Sequence, residues 1–435
     1  MAHVKWMLAV LLTCLILAGC LAIAVASGMD GITIDKTNFP DSEFCTYIHT
    51  VLDKDQDGIL SAQEIEQTVE INLTGVEVEN LNGIEFFWNL KRLICFSHKG
   101  LTELDVSRNT NLTTLDCSEC SIVSLTLNTA LTVLHCMENQ LATLDVSPCS
   151  NLRQLSCNSN QLKELDVSKN PVLEILDCDD NQLAALDISQ NQELTELSCS
   201  RNQLIMLDVS KNRKLVYLSC SSNLLTSLDV SKNTALMDLF CYNNQIFSLD
   251  TSRNLDLEIL DCASNRLSSL VVNKQLYELD SSENCLLLLD LSENTNLNFL
   301  RLSDQQAEIE VTQNAENEWG VDLAAVVDNW DDYVTDVRVG PDGVQRYGSV
   351  VSWNNQRINP VISYRYDTRA LELEQGVAGV DPYMNVVLVL RPVISVPAPQ
   401  TGDPSNPAVL MLLAATALVG IAALLALWRH TIYIR

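Results

Sequence analysis

Apolar positions recur with a fixed beat through the middle of the chain. Between residues 112 and 302 leucine stands at the first and fourth places of each unit, with cysteine usual at the sixth and asparagine usual at the ninth, as in LEILDCDDNQLAALDISQNQE (173–193) and LTELSCSRNQLIMLDVSKNRK (194–214). Cys136, Cys157, Cys178, Cys199, Cys220, Cys241 and Cys262 follow one another every 21 residues. A fixed period of roughly 20–50 residues signals stacked units rather than one globular core. Alternation around the fourth and sixth places predicts a short strand that turns these residues inward and its third, fifth and seventh residues outward. A second half such as Leu165-Asp166-Val167-Ser168 returns two more apolar side chains from the opposite side. So short a unit leaves little room for a long outer helix, and extended or 3₁₀ pieces are expected there.

Eleven units begin at Leu90, Leu112, Leu131, Leu152, Leu173, Leu194, Leu215, Leu236, Leu257, Leu276 and Leu297. The units at Leu112 and Leu257 have 19 residues, and the last fades, with Leu302 in the cysteine place and Gln305 in the asparagine place. Nine of the 15 cysteines, counting Cys95 and Cys117, occupy the sixth place, which predicts a column of buried, reduced thiols. Asn139, Asn160, Asn181, Asn202, Asn223, Asn244, Asn265 and Asn284 form a second column, whose amides must bond the backbone of neighbouring turns. The frame resembles a leucine-rich repeat with cysteine where the third leucine normally stands. That resemblance implies a solenoid of short parallel strands.

Residues 33–89 read as a helical cap for the open end of the stack, which would otherwise expose an apolar edge. Within it, residues 53–64 (DKDQDGILSAQE) match an EF-hand loop at every defining position. A hard cation wants six to eight oxygens. Carboxylates of Asp53, Asp55 and Asp57, the Ile59 carbonyl, Ser61 and a bidentate Glu64 supply them, with Gly58 at the sharp turn. Calcium is the expected cofactor. Flanking helices are expected over 41–51, with Phe44, Tyr47, Ile48 and Val51 on one face, and over about 61–69.

After the repeats, residues 306–395 form β-rich runs separated by turn signals, and a small antiparallel sandwich is expected as spacer. Prolines stiffen a linker over 396–407. An uncharged stretch, 408–428, is long enough to cross a bilayer, and a basic tail, 429–435, would stay cytoplasmic. Residues 1–26 read as a signal peptide, while Leu17-Ala18-Gly19-Cys20 offers a competing lipoprotein reading. The run Ala398-Pro399-Gln400-Thr401-Gly402, then the apolar stretch and basic tail, resembles the cell-wall sorting signal of Gram-positive surface proteins, with Ala398 where that pattern has leucine. The resemblance implies sortase cleavage between Thr401 and Gly402 and attachment to peptidoglycan. The alternative is a plain membrane anchor.

The formal net charge is −29, from 56 acidic and 27 basic residues, which argues against nucleic acid as partner. No hydrolase, metalloprotease or phosphate-loop motif is present, and the five histidines are dispersed, so no enzyme is expected. Along the outward columns, Tyr217, Met237, Phe240, Tyr242 and Ile259 gather on adjacent turns as a candidate contact patch. His135 and Asp116 stand as neighbours on the same face. The whole set resembles bacterial surface proteins of the internalin type, in the branch with a cysteine column. What this implies is adhesion, with a protein or glycan ligand on the concave face. A structural envelope component and a polysaccharide-binding module remain as alternatives.

Overall fold

The computed structural model describes residues 31–311, 313, 319–327, 330–341, 344–353, 360–369 and 383–392. The signal peptide, the linker with Thr401 and Gly402, the apolar stretch 408–428 and the basic tail lie outside the described residues. Among the described residues no helix is long and apolar enough to cross a membrane.

The repeats build a leucine-rich-repeat solenoid. Because each unit returns the chain to the same place, three-residue strands pair in parallel and in register: Leu155 beside Leu176, Leu176 beside Leu197, Leu197 beside Leu218. The concave sheet holds 12 strands in spatial order, from Glu70–Asn72 to Phe299–Arg301. Eleven units account for all but the first. Glu70–Asn72 comes from the cap and pairs with Arg92–Ile94, so the cap adds a turn of its own, with Ile71 and Leu73 fully buried. All nine sixth-place cysteines are free and buried beneath the sheet.

At the eighth place of every unit the backbone turns left-handed, with φ between 51° and 69°, on residues such as Glu138, Asp180 and Arg201. That conformation costs roughly 1–2 kcal/mol for a residue with a Cβ. From the unit at Leu131 to that at Leu276 the ninth-place asparagine offsets it. Asn202 Nδ2 donates to the carbonyls of Cys178, Cys199 and Ser200 at 3.0–3.2 Å, and its Oδ1 accepts from Leu183 N at 2.9 Å. Gln305 plays the same part in the last unit, with Oε1 accepting from Leu286 N and Nε2 donating to Ser281 O. Its extra methylene still reaches the backbone, so the ladder continues to the end of the stack.

A second asparagine column went unpredicted. It stands three residues before each unit's first leucine and includes Asn170, Asn191, Asn212, Asn233 and Asn254, all fully buried. Cys149 occupies the same place, its thiol donating to Asn128 O at 3.1 Å.

On the convex side, where extended or 3₁₀ pieces are expected, the extended alternative is found. Among the described residues, 3₁₀ turns lie only at Ile84–Phe86 and Leu323–Ala325, outside the repeats. The outer segment is built of turns and four short strands, paired Glu103–Asp105 with Ser124–Thr126 and Ser248–Asp250 with Ser269–Val271.

In the cap, Asp41 caps the helix Ser42–Tyr47 by accepting from the amides of Glu43 and Phe44. A π turn, Ile48–Leu52, follows directly. That wider turn shifts the buried face by one residue. Leu52 is buried with Phe44 and Ile48, whereas Val51, expected inside, is exposed. The second helix is Ala62–Gln67, shorter than expected.

The C-terminal region forms two small sheets, one of four strands and one of three. It is not purely antiparallel. Gln305–Val311 runs straight on from the last repeat and pairs in parallel with Tyr383–Pro392, which makes the larger sheet mixed. Contacts tie this region to the stack: Leu291 N donates to Thr368 O at 2.8 Å, Tyr364 Oη to Leu287 O at 3.1 Å, and Arg369 pairs with Asp290.

Candidate functional site

The acidic loop folds between the π turn and the second helix. One carboxylate oxygen from each of Asp53, Asp55 and Asp57 lies within 4.8 Å of the others. Asp53 is nearly buried; its Oδ2 bonds His49 Nδ1 at 2.9 Å and accepts from Gly58 N at 3.0 Å. Its Oδ1 is buried and receives nothing from the protein. Burial opposes ionisation of Asp53, but His49 and the loop amides outweigh it and hold the carboxyl below its usual value. Asp55 moves the other way, raised by desolvation first and by the charges of Asp57 and Glu64.

The remaining expected ligands are engaged elsewhere. Glu64 accepts from Lys54 N through Oε1 and from Ser61 N and Ser61 Oγ through Oε2, closing a capping box on the second helix. Ile59 pairs with Thr33 in a short antiparallel contact, and its amide donates to Asp57 Oδ1 at 2.8 Å. An oxygen donor set with one orphaned carboxylate oxygen matches what a hard cation requires. In a cation-bound state Asp53, Asp55 and Asp57 would supply carboxylate oxygens, while Ser61 and Glu64 would exchange capping bonds for ligation.

On the concave face the outward columns lie as alternation predicts. Tyr217, Phe240, Tyr242 and Ile259 are half-buried on turns seven to nine. The rings of Tyr217 and Phe240 meet at a centroid distance of 5.7 Å and an interplanar angle of 44°. Met237 does not join them. It stands at the second place of its unit, before the strand Asp238–Phe240, and lines a cleft on the rim. The strand's alternation begins only at the third place, so a residue one step earlier is aimed elsewhere.

Beside the aromatics lies a polar network that sequence reading did not assemble. Asp179 accepts from Ser198 Oγ at 2.8 Å and from the Ser200 amide, and Ser200 Oγ meets Ser219 Oγ at 2.7 Å. Desolvation, with Asp179 adding its charge, raises Asp177 to about 6. The signal was present as serines recurring at the fifth and seventh places, but their mutual contacts depend on side-chain direction. His135 bonds Ser156 on the next turn, through Nδ1 at 3.1 Å, rather than Asp116. Leucine-rich-repeat solenoids are typically non-catalytic and use their concave surface for binding.

No protein-family model and no curated protein matches the sequence. Among solved structures the chain is similar to the functional domain of InlJ from Listeria monocytogenes, described as including a cysteine ladder. That likeness has 23% identity and a TM-score of 0.43, over 84% of this chain and 100% of that one. It is also similar to an internalin, InlF, from the same organism, at 22% identity and a TM-score of 0.49, over 64% and 86%. A third is YopM from Yersinia enterocolitica, at 22% identity and a TM-score of 0.39, over 62% and 69%. These values transfer neither function nor partner. The leucine-rich-repeat architecture rests on the chain's own repeats.

Proposed function

We propose that the chain is an exported, surface-anchored bacterial recognition scaffold that binds a protein or glycan through the concave face of its solenoid. The observation that carries this reading is the group Tyr217, Phe240 and Tyr242, the last two at the fifth and seventh places, where other turns bear mainly small polar or acidic residues. Half-exposed aromatic rings lose little conformational freedom on binding and supply large contact area. Asp177, Asp179 and the neighbouring serines would add hydrogen bonds to a polar ligand. The resemblance to internalin-type surface proteins and the sorting-like run around Thr401 and Gly402 support display at the cell surface, through peptidoglycan or the membrane.

Screening the full chain against a glycan array and a panel of host surface proteins tests the reading. Phe240→Ala with Tyr242→Ala should weaken the captured ligand at least tenfold. Unchanged binding would remove the aromatic patch. An envelope defect on deletion, with no ligand captured, would favour the structural alternative.

Calcium belongs to the same proposal as a stiffener of the cap. When bound it would neutralise the crowded carboxylates; Asp53 Oδ1 offers the unused oxygen, and Gly58 N with His49 fixes the other. At the dissociation constants of extracellular modules, roughly 10⁻⁴ to 10⁻³ M, the ion would be resident. Chelation should speed hydrogen exchange across residues 41–69 and spare the central repeats. Equal protection with and without chelator would sink this role.

A further inference from the structure

Every turn repeats one frame, so each surface column contains its own control. A residue type that folding requires recurs from turn to turn, and departures gathered at one place serve something else. Along the rim where the strands begin, the second residue of each unit is polar in most turns, as with Lys91, Arg153 and Glu174. At turns seven, eight and ten it becomes Val216, Met237 and Tyr277, the last two 39% and 44% exposed. The residue two places before a unit's first leucine is polar in eight of the eleven units; the exceptions are Trp88 at the first unit, Pro171, and Leu255, the last 65% exposed. Leu255, Met237 and Tyr277 gather in one shallow cleft of about 670 Å³, together with Asp256, Glu258 and Gln275. Gln275 ends the shortened unit that begins at Leu257.

Charge departs from the pattern at the same place. Elsewhere facing turns can pair opposite charges, Arg153 with Glu174 at the second place and Lys214 with Glu193 at the place just before the first leucine. Glu258 and Asp256 hold the corresponding places in the cleft, and neither has an ion-pair partner among the described residues. Next to them, Asp238 is held above the usual carboxylate range, by burial first and then by Glu258 and Glu278. Lys274, in the column of Leu255 on the next turn, is taken up by Glu293 at 2.8 Å, which leaves the carboxylates of the cleft without a cation of their own among the described residues.

We propose that this cleft docks an arginine or lysine flanked by apolar residues, carried on an exposed segment of a partner protein. Asp256 and Glu258 take the cation, the Tyr277 ring offers it a face, and Leu255 with Met237 receives the flanking side chains. The site lies on the rim rather than on the aromatic patch, so it stands or falls independently of that patch.

The test uses the full chain and a fluorescent pentapeptide alternating leucine and arginine, titrated by anisotropy. Two companions replace arginine by glutamate or leucine by serine. The leucine–arginine peptide should bind, the glutamate peptide should not, and the serine peptide should bind at least fivefold more weakly. Leu255→Ser with Glu258→Gln should cost at least tenfold, and Phe240→Ala with Tyr242→Ala should cost nothing. Leu255 and Glu258 are exposed, so the double variant should keep the wild-type circular dichroism and melting temperature. Equal binding of the glutamate peptide, indifference to the Leu255/Glu258 variant, or no binding at 1 mM peptide would overturn the proposal. Self-association in sedimentation that disappears with Leu255→Ser would also overturn it, assigning the cleft to a second copy of the chain.

Discussion

Two asparagine columns run through most of one stack and do different work. At the ninth place the whole amide is used: Asn202 bonds three carbonyls and one amide and steadies the left-handed residue before it. In the other column Asn212 Nδ2 donates to Ile188 O and Asn191 O, at 3.0 and 2.8 Å, and its buried Oδ1 receives nothing from the protein. The same is true of Asn170, Asn191, Asn233 and Asn254. Identical chemistry is therefore fully engaged beneath the sheet and half engaged beneath the convex turns. A position that needs only a donor tolerates a weaker one, which is why Cys149 can stand in the second column.

The sharpest way to break this comparison is to truncate one asparagine from each column. Asn202→Ala leaves three carbonyls and the Leu183 amide short of a partner and should cost about 3–5 kcal/mol. Asn212→Ala removes one of two donors from each of two carbonyls, which keep their backbone partners, and should cost about half as much. Equal losses in chemical denaturation would show that the columns are equivalent after all. Cys199→Ser tests the thiol column between them. It places a hydroxyl with no assigned partner in the core and should cost about 1–3 kcal/mol. Burial, reinforced by neighbouring thiols, pushes Cys199 well above its ordinary value, so native protein should also resist alkylation at neutral pH. Rapid labelling would place that column at the surface. Asn212→Cys, copying Cys149, should cost less than Asn212→Ala, a difference of up to about 1 kcal/mol.

The smallest effect expected is pH-dependent and lies on the concave face. Asp177 titrates at about 6 in the folded chain, against an ordinary value of 3.8. The folded state thus holds this proton more tightly, and the contribution of Asp177 to stability is greatest below about pH 4 and is lost as pH rises through about 6. Asp177→Asn should raise the melting temperature at pH 7.5, by the equivalent of about 1 kcal/mol after solvent screening, and change it little at pH 4. Stabilisation at both values would mean that shape, not charge, limits the site.

Much of this was legible in one dimension. The 21-residue beat, the inward leucines and cysteines and the ninth-place amides each follow from column identity, because a stacked fold puts equivalent residues in equivalent surroundings. The second asparagine column was equally periodic, in the Asn-x-x-Leu that ends most units, and was obscured by its polar neighbours. Other features could not be read this way. Val51 and Leu52 exchanged roles because a π turn altered the phase of the helix. Met237 left the aromatic patch because strand alternation begins one residue later.

Local periodicity thus settles which side chains face inward, since each turn needs the same buried volume and the same backbone partners as the next. What it leaves open is which outward residues meet across turns. The rings of Tyr217 and Phe240, the serines around Asp179 and the rim cleft between Met237 and Tyr277 lie about a repeat or more apart in the chain. Only the parallel register of the stack brings them together, because it turns a separation of about 21 residues into a single strand spacing.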